Sequence, residues 1–342
     1  MSQNRIFYAC QAVAITTMGR GNDIAGADIV RGLQTVGMSS TFSLDQVFEM
    51  GQIEIYENIE DVADVEVTLE KVIDGYRFIW DLASNGQCKT DLVAASKNRC
   101  DVFLAIFDDG LSHATGVPKN VCWNSGMYTS SVSYSYSVDG SATESVTLVG
   151  NDRMWNTVEG DAGRDANEGW KADRTATIFD GDDAPLSGVV RRVDVDILNS
   201  TLPGIVTSQM SYPAEAGTRS KGAHIQSITV STDMSQDNIT ELGRFGPYAR
   251  YATFPIEVTA EFEVIATSGD LVSVSGSTTN LTDQTITIKD TAGTEIALGA
   301  ANKLSNVSYS GGDTGGGNST VSYLFSNFNV LTVNGGMSAN LT

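Results

Sequence analysis

Apolar and polar residues alternate along much of this chain. In Val65-Glu66-Val67-Thr68-Leu69-Glu70 the apolar side chains share one face, and Glu, Thr and Glu take the other. That period of two marks a half-buried strand. Ile256-Glu257-Val258-Thr259-Ala260-Glu261-Phe262-Glu263-Val264 repeats the pattern. Ser131–Val138 and Ser145–Val149 read as a hairpin about Asp139-Gly140. Asn306–Ser310 and Thr320–Phe328 form a similar pair around the Gly311–Gly317 loop, and Thr285–Lys289 is a further strand ahead of a turn at Gly293. Helix signals are few. Thr90–Asn98 predicts a short helix with Thr90 as its cap, and Ser43–Met50 fits one or two turns. Gly150–Gly188 is polar, rich in Asp and Gly, and reads as a connector.

The pattern occurs twice. With a shift of 192 positions, Gln34 falls on Gln226, Ser39 on Ser231, Ser43 on Ser235, Asp45 on Asp237, Gly51 on Gly243 and Tyr56 on Tyr248. With the shift reduced by one, Val65-Glu66-Val67-Thr68 meets Ile256-Glu257-Val258-Thr259, and Glu70 meets Glu261. Further on, Asp91-Leu92-Val93 meets Asp270-Leu271-Val272, and Val132-Ser133-Tyr134-Ser135 meets Val307-Ser308-Tyr309-Ser310. The pairs are collinear, with offset changes that read as loop insertions and deletions. The expectation is a mainly β protein of two tandem β-sandwich or half-barrel units from an internal duplication, each with a short helix. The first unit is 1–157, the connector 158–187 and the second unit 188–342. Each is long enough to bury its own core. Two copies in one chain suit a ring or fibre in which each subunit fills two equivalent places.

Charge narrows the class. The net charge is −21, from 21 basic and 42 acidic residues, which opposes gripping nucleic acid because phosphate binding needs Lys and Arg. Such a surface is soluble, and it also suits a wall that nucleic acid passes without sticking. Cys10, Cys88, Cys100 and Cys122 contain no C-x-x-C pair, and His113 and His224 are not spaced as their partners, so zinc is not expected. They read as reduced, mostly buried thiols of a cytosolic product. The N-terminal apolar run Ile6–Ile15 makes a poor signal peptide. No stretch approaches 18 apolar residues, so no membrane span is expected.

Chemistry is scarce. There is no G-x-S-x-G, H-E-x-x-H or G-x-x-x-x-G-K-[ST]. The Gly311–Gly317 loop lacks the Lys and helix of a phosphate cradle. Asp180-Gly181-Asp182-Asp183 has oxygen ligands but no EF-hand spacing and no closing Glu. Neither His has a nucleophile and an orienting carboxylate at a telling spacing. Glu66 and Glu70 could suit glycoside chemistry, but they recur as Glu257 and Glu261, which is more simply architecture. Glu66, Thr68, Glu70, Glu257, Thr259, Glu261 and Glu263 share the polar side of matching strands. Two readings of that side stay open: a solvated outer face, or a channel wall whose carboxylates repel phosphates.

Met50-Gly51-Gln52-Ile53-Glu54-Ile55-Tyr56-Glu57-Asn58-Ile59 running into Val65–Val72, together with Val132–Tyr136 through Asp139-Gly140 and Glu144–Gly150, resembles the tail tube proteins of tailed bacteriophages. The resemblance covers most of both units and rests on strands and turns rather than on a catalytic signature. It implies two packed sheets, a flanking helix and a long loop between the second and third strands. It also implies inner strands that join between subunits into one barrel, and loops that reach the adjacent ring. Gln34–Thr41 with Val62–Ile73, and Gln226–Thr232 with Ile256–Ile265, would be inner strands. Ser43–Asp61 and Ser235–Thr253 would be stacking loops, carrying Asp45, Gly51, Glu54, Tyr56 and Glu57 in the first copy and Asp237, Gly243, Arg244, Tyr248 and Arg250 in the second.

The family's common member has one unit per chain. Two units let three chains close a pseudo-hexameric ring. The implied role is a virion structural protein without catalysis or cofactor, made in the host cytoplasm and located in the virion tail. Its partners would be itself and other tail proteins (a sheath, tape measure, terminator or baseplate), and DNA would cross the lumen without specific binding. A baseplate hub or tail-completion ring is the rival within virions. A carbohydrate-binding β-sandwich is the rival outside them, and it should carry its aromatic platform twice. Trp80, Trp123, Trp155 and Trp170 all precede the second unit.

Overall fold

The alternating segments pair into one large antiparallel sheet. The computed structural model describes residues 6–17, 28–108, 111, 118–157, 188–197, 199–208, 224–273, 282–312 and 317–335. His113, the 158–187 connector with Asp180–Asp183, and part of the Gly311–Gly317 loop lie outside the described residues. In chain order the strands of the first half are β1 (Gln11–Thr17), β2 (Asp28–Ile29), β3 (Leu33–Thr41), β4 (Leu44–Phe48), β5 (Ile55–Glu60), β6 (Asp64–Val72), β7 (Arg99–Ile106), β8 (Asn120–Ser137), β9 (Thr143–Gly150) and β10 (Asp152–Thr157). Then come β11 (Ile225–Asp233), β12 (Gln236–Ile239), β13 (Ala249–Ala252), β14 (Glu257–Ile265), β15 (Thr287–Lys289), β16 (Glu295–Ala297), β17 (Lys303–Ser310), β18 (Thr320–Phe328) and β19 (Thr332–Asn334). The helices are short: α1 (Ile79–Ala83), α2 (Leu92–Ala95) and α3 (Gly204–Ser208). The fold is mainly β.

Eight strands run side by side in the order β3-β6-β9-β8-β11-β14-β18-β17, every neighbour antiparallel. Strand β8 makes this possible because it is long. Its first half lies between β7 and β10, and its second half between β9 and β11. Gly126, at φ +63°, sits where one half gives way to the other, a backbone conformation that favours glycine. The Asp101 carboxylate accepts from its N–H at 2.9 Å and from the Ser125 hydroxyl at 3.2 Å. Strands β7, β1 and β2 continue from there as a second branch. The sheet therefore passes without a break from residues before the connector to residues after it.

The two halves of the eight-strand run match in detail. Pairing of β3 with β6 skips a residue between Leu33 and Thr35, and pairing of β11 with β14 skips one between Ile225 and Ser227. Pairing of β8 with β9 skips between Thr129 and Ser131, and that of β17 with β18 between Leu304 and Asn306. Bulges fix register, so equivalence can be read through them. One expectation changes. Through the bulges Glu66 stands where Thr259 does, Thr68 where Glu261 does, and Glu70 where Glu263 does. The sequence match had set Glu66 on Glu257 and Glu70 on Glu261, two residues away. A slip of two leaves every side chain on the same face, so alternation cannot detect it.

Val65, Val67 and Leu69 of β6 and Val258, Ala260, Phe262 and Val264 of β14 point to the same side and are buried. They join one core with Phe78, Trp80 and Leu82 around α1 and with Ile288, Ile296 and Val333 of the small β15-β16-β19 sheet. Fully burying each such aliphatic or Phe side chain is worth about 1.5–3 kcal/mol. The residues after the connector return to the first half: the Val190 N–H donates to the Ile73 carbonyl at 2.8 Å, and the Ala142 N–H to the Val190 carbonyl at 2.9 Å.

Two helix expectations change. Ser43–Met50 is not helical, because Leu44–Phe48 forms β4 and pairs with β5. Around α2 the cap is Asp91 rather than Thr90. Its carboxylate accepts from the Val93 N–H at 2.9 Å, while the Thr90 hydroxyl donates to the Gln87 carbonyl at 3.1 Å. The four cysteines are free and buried.

One buried polar cluster pins α1 to the sheet. Glu144 accepts from the Ile79 N–H at 2.7 Å, the Trp80 N–H at 3.1 Å and the Tyr134 hydroxyl at 3.0 Å. Its cross-strand partner is buried Lys71, which meets Asp74 at 3.2 Å. Burial pushes the Glu144 carboxyl upward, against the opposing pull of Lys71 and the backbone donors. The folded chain therefore holds a proton that the unfolded chain releases, and stability falls as pH rises above the ordinary value of 4.5. We expect Glu144→Gln to gain urea resistance relative to the wild type as pH rises from about 4.5 toward neutrality. Parallel midpoint-against-pH curves for the two proteins would refute this.

Candidate functional site

The face of the eight-strand run opposite the core is mostly hydroxyls and carboxylates, with Val149, Leu324 and Phe328 among them. Thr35, Ser39 and Thr41 of β3 lie beside Glu66, Thr68 and Glu70 of β6, then Ser145 and Thr147 of β9, and Ser131, Ser133, Ser135 and Ser137 of β8. Across the centre come Ser227, Thr229, Ser231 and Asp233 of β11, then Glu257, Thr259, Glu261 and Glu263 of β14, and Ser322 and Ser326 of β18. All seven residues expected on a polar face are on this one. Glu66, Glu257 and Glu261 are exposed; Thr68, Glu70, Thr259 and Glu263 are half-buried. Ser227 donates to Glu263 at 3.2 Å, and Ser231 and Thr259 meet at 2.8 Å. Lys303 lies at the rim of this face and meets Asp283 at 3.3 Å, and Arg250 borders it, its charge met by Asp64. Such a surface repels polyanions and has little with which to hold them.

The two β6 carboxylates do not form a catalytic pair. Glu66 and Glu70 are four positions apart on one strand, about 13 Å by strand rise, too far for a glycosidase pair. No group of three or more His, Cys, Asp or Glu among the described residues could hold a metal. Burial pushes the Cys122 thiol up to about 11 and raises Cys88 and Cys100 further, so none is a ready nucleophile.

The centre and ends of the run form the second part of the site. At the centre, Ser133 faces Ser231 and Tyr134 faces Val230. At the ends, among the described strands, β3 pairs only with β6, and β17 only with β18. Through the bulges β17 is the counterpart of β8, and β3 of β11. The open ends are thus the same two kinds of edge that are joined at the centre. Their core-side residues differ in burial accordingly. Tyr134 is 0% exposed, whereas its counterpart Tyr309 is 52% exposed. Val132, Ile228 and Val230 are buried, whereas Val307, Val36 and Met38 are half-buried. A crevice of about 770 Å³ borders β3 at Gln34, Thr35 and Val36, walled by Phe7, Tyr8 and Ile29.

The third part is a pair of matching hairpins. Strands β4 and β5 pair Leu44 with Glu60, and β12 and β13 pair Gln236 with Ala252, in the same register. Gly51 at φ +96° and Gly243 at φ +84° turn both tips, where a side chain would be strained. Asp45, Glu54, Tyr56 and Glu57 are exposed in the first hairpin. In the second, Asp237 accepts from the Thr253 hydroxyl at 2.8 Å, and Arg244 lies over the Tyr248 ring at 5.8 Å. Arg250 differs from the other expected loop residues, since its side chain is only 8% exposed. It donates to Asp64 at 2.6 Å, Asn151 at 3.1 Å and the Gly150 carbonyl at 3.4 Å. Gln236 donates to the carbonyls of Thr129 at 2.9 Å and Ser96 at 3.3 Å. The second hairpin is therefore strapped across the first half, while β4 and β5 are exposed along their whole length.

Sequence reasoning missed Tyr309, Val36 and Met38, because an edge residue and a central one carry the same alternation. Arg250→Ala should release the strap. We expect amide exchange across Phe245–Ala252 to speed up about tenfold, the loss of about 1.4 kcal/mol, with β6 and β14 unchanged. Unchanged exchange in the hairpin would show that Gln236 and the backbone hold it alone.

No known protein family and no curated protein matches the sequence. Among solved structures, the chain is similar to one from the anti-feeding prophage baseplate (6-fold symmetrised), with TM-score 0.33 and 14% identity over 47% of this chain and 100% of that one. It is also similar to a chain from the anti-feeding prophage tube-terminating cap, with TM-score 0.34 and 13% identity over 46% of this chain and 95% of that one.

Proposed function

We propose that this protein is a non-catalytic structural subunit of a phage-type tail tube, with two duplicated units per chain, closing into rings that stack. The observation that carries the reading is the β8–β11 junction. It joins one kind of edge to another inside the chain, and the two ends of the described strand run leave one edge of each kind open. An open edge with half-exposed apolar residues invites pairing. Head-to-tail pairing through unlike edges closes into a ring where the rotation allows.

Transferred to the open edges, the junction's register sets Ser308 of one chain against Ser39 of the next, Tyr309 against Met38, and Gly312 against Thr35. The side-chainless Gly311 and Gly312 then run along the crevice beside β3. Three chains would supply roughly 24 strands, giving a barrel about 50 Å across between backbones. The hydroxyl-and-carboxylate face would line it, and a nucleic-acid duplex would pass without sticking. The tips at Met50 and Leu242, fully exposed in the single chain, would meet the next ring. Partners would be further copies and other tail proteins, in a virion tail.

Electron microscopy across a concentration series, with mass measured in parallel, tests this. Hollow tubes built from three-chain rings are the expected result. Single rings that never stack would instead favour a hub or completion ring, and a monomer at every concentration would overturn the reading. Tyr309→Lys, which puts a charge on the open edge, should abolish assembly while leaving the monomer's circular dichroism unchanged.

A further inference from the structure

Among the described residues, the second hairpin has a docking site inside the chain and the first has none. Phe245–Arg250 line a cleft with Ala63, Tyr128, Asn151 and Asp152. Arg250 and Gln236 fasten the stem, and the Met234 N–H donates to the Ser130 carbonyl at 2.7 Å. All these contacts cross the β8–β11 junction, from the half that supplies β11 to the half that supplies β8.

The counterparts across an intermolecular junction follow from the same equivalences. Phe245–Arg250 correspond to Ile53–Asn58. Tyr128, Asn151 and Asp64 correspond to Lys303, Phe328 and Glu257. Phe254 lies in the segment that corresponds to Asp61–Ala63. Two independent features of the isolated chain fit this map. Ile53 and Tyr56 on the hairpin, and Phe254 and Phe328 on the far half, are large apolar side chains left exposed. Lys303 also stands where acidic Glu54 and Glu57 would arrive. Where the internal contact is fastened by an arginine and a carboxylate, the counterpart is apolar with a single cation beside two carboxylates.

We propose that the β4–β5 hairpin docks in trans on the β14-β18-β17 half of the adjacent chain in the same ring, with Ile53 and Tyr56 covering that chain's Phe254 and Phe328. The occupant of this apolar surface is a second copy of this chain. The inference rests on the ring reading and adds to it: the hairpin stem clamps the neighbour within the ring, and only the tip remains to meet the next ring. Folding one apolar strap over each junction hides, in the ring, surface that each free chain leaves exposed. The clamp also selects the neighbour, since only the β17 edge lies beside its receiving surface.

Two cysteine pairs separate the clamp from the ring. Ser39→Cys with Ser308→Cys reports edge pairing by direct disulfide, because the corresponding Ser231 and Ser133 face each other. Asn58→Cys with Glu257→Cys reports the clamp through a short bismaleimide, which takes the place of the long Arg250 side chain that reaches Asp64. The native cysteines are buried. Chain ladders from both pairs are the expected result. A ladder from the edge pair alone would overturn the clamp and leave the ring standing. Ladders from neither would overturn the ring, and the clamp with it. As a second readout, Tyr56→Ser should raise the concentration needed for assembly by about tenfold or more, since it removes one apolar side chain per junction. An unchanged threshold would also overturn the clamp.

Discussion

Antiparallel backbone pairing across β8 and β11 is the interaction on which the rest of this structure depends. It uses the second half of one 18-residue strand to carry a sheet from one half of the chain into the other. Because every backbone N–H and C=O in a buried strand needs a partner, the junction fixes the register of everything on either side. The open face, the core face and the crossing of the second hairpin all follow from it. Among the described strands it also leaves two unpaired edges of unlike kind, a state that β proteins blunt, cover or pair.

The chemistry on the two faces divides cleanly. Toward the core, the first half buries the Lys71–Glu144 pair on neighbouring strands, and Glu144 caps α1. The second half has Val264 opposite Val321 at the corresponding place. Replacing buried polar or charged groups by packed apolar residues is neutral or stabilising where nothing else needs the charges. Toward the open face both halves agree on small hydroxyls interrupted by carboxylates.

The hairpins show how equivalent segments acquire different surroundings. Their register and their left-handed tip glycines are the same, yet Arg250 is buried and its counterpart Asn58 is exposed. The difference lies in what each hairpin finds next to it. In the proposed ring both find the same kind of neighbour, one through the chain and one through assembly. Half-exposed Tyr309 and buried Tyr134 are related in the same way.

The sequence by itself determined the class, most strands, the β8–β9 turn, the polar face and the correspondence of Ser43–Tyr56 with Ser235–Tyr248, because alternation, glycines and turn residues act over a few neighbouring positions. It placed Glu66, Thr68, Glu70, Glu257, Thr259, Glu261 and Glu263 on one side, since face depends only on odd or even position. It did not distinguish Glu66 opposite Thr259 from Glu66 opposite Glu257, because a slip of two preserves that parity. It read Ser43–Met50 as a possible helix because the pairing that makes Leu44–Phe48 a strand comes from β5, across the hairpin tip. Which strands stand at the ends of the sheet, which tyrosine is buried, and where Arg250 reaches were decided only by tertiary structure. Those outcomes depend on contacts between residues far apart in the chain, and local pattern carries no record of them.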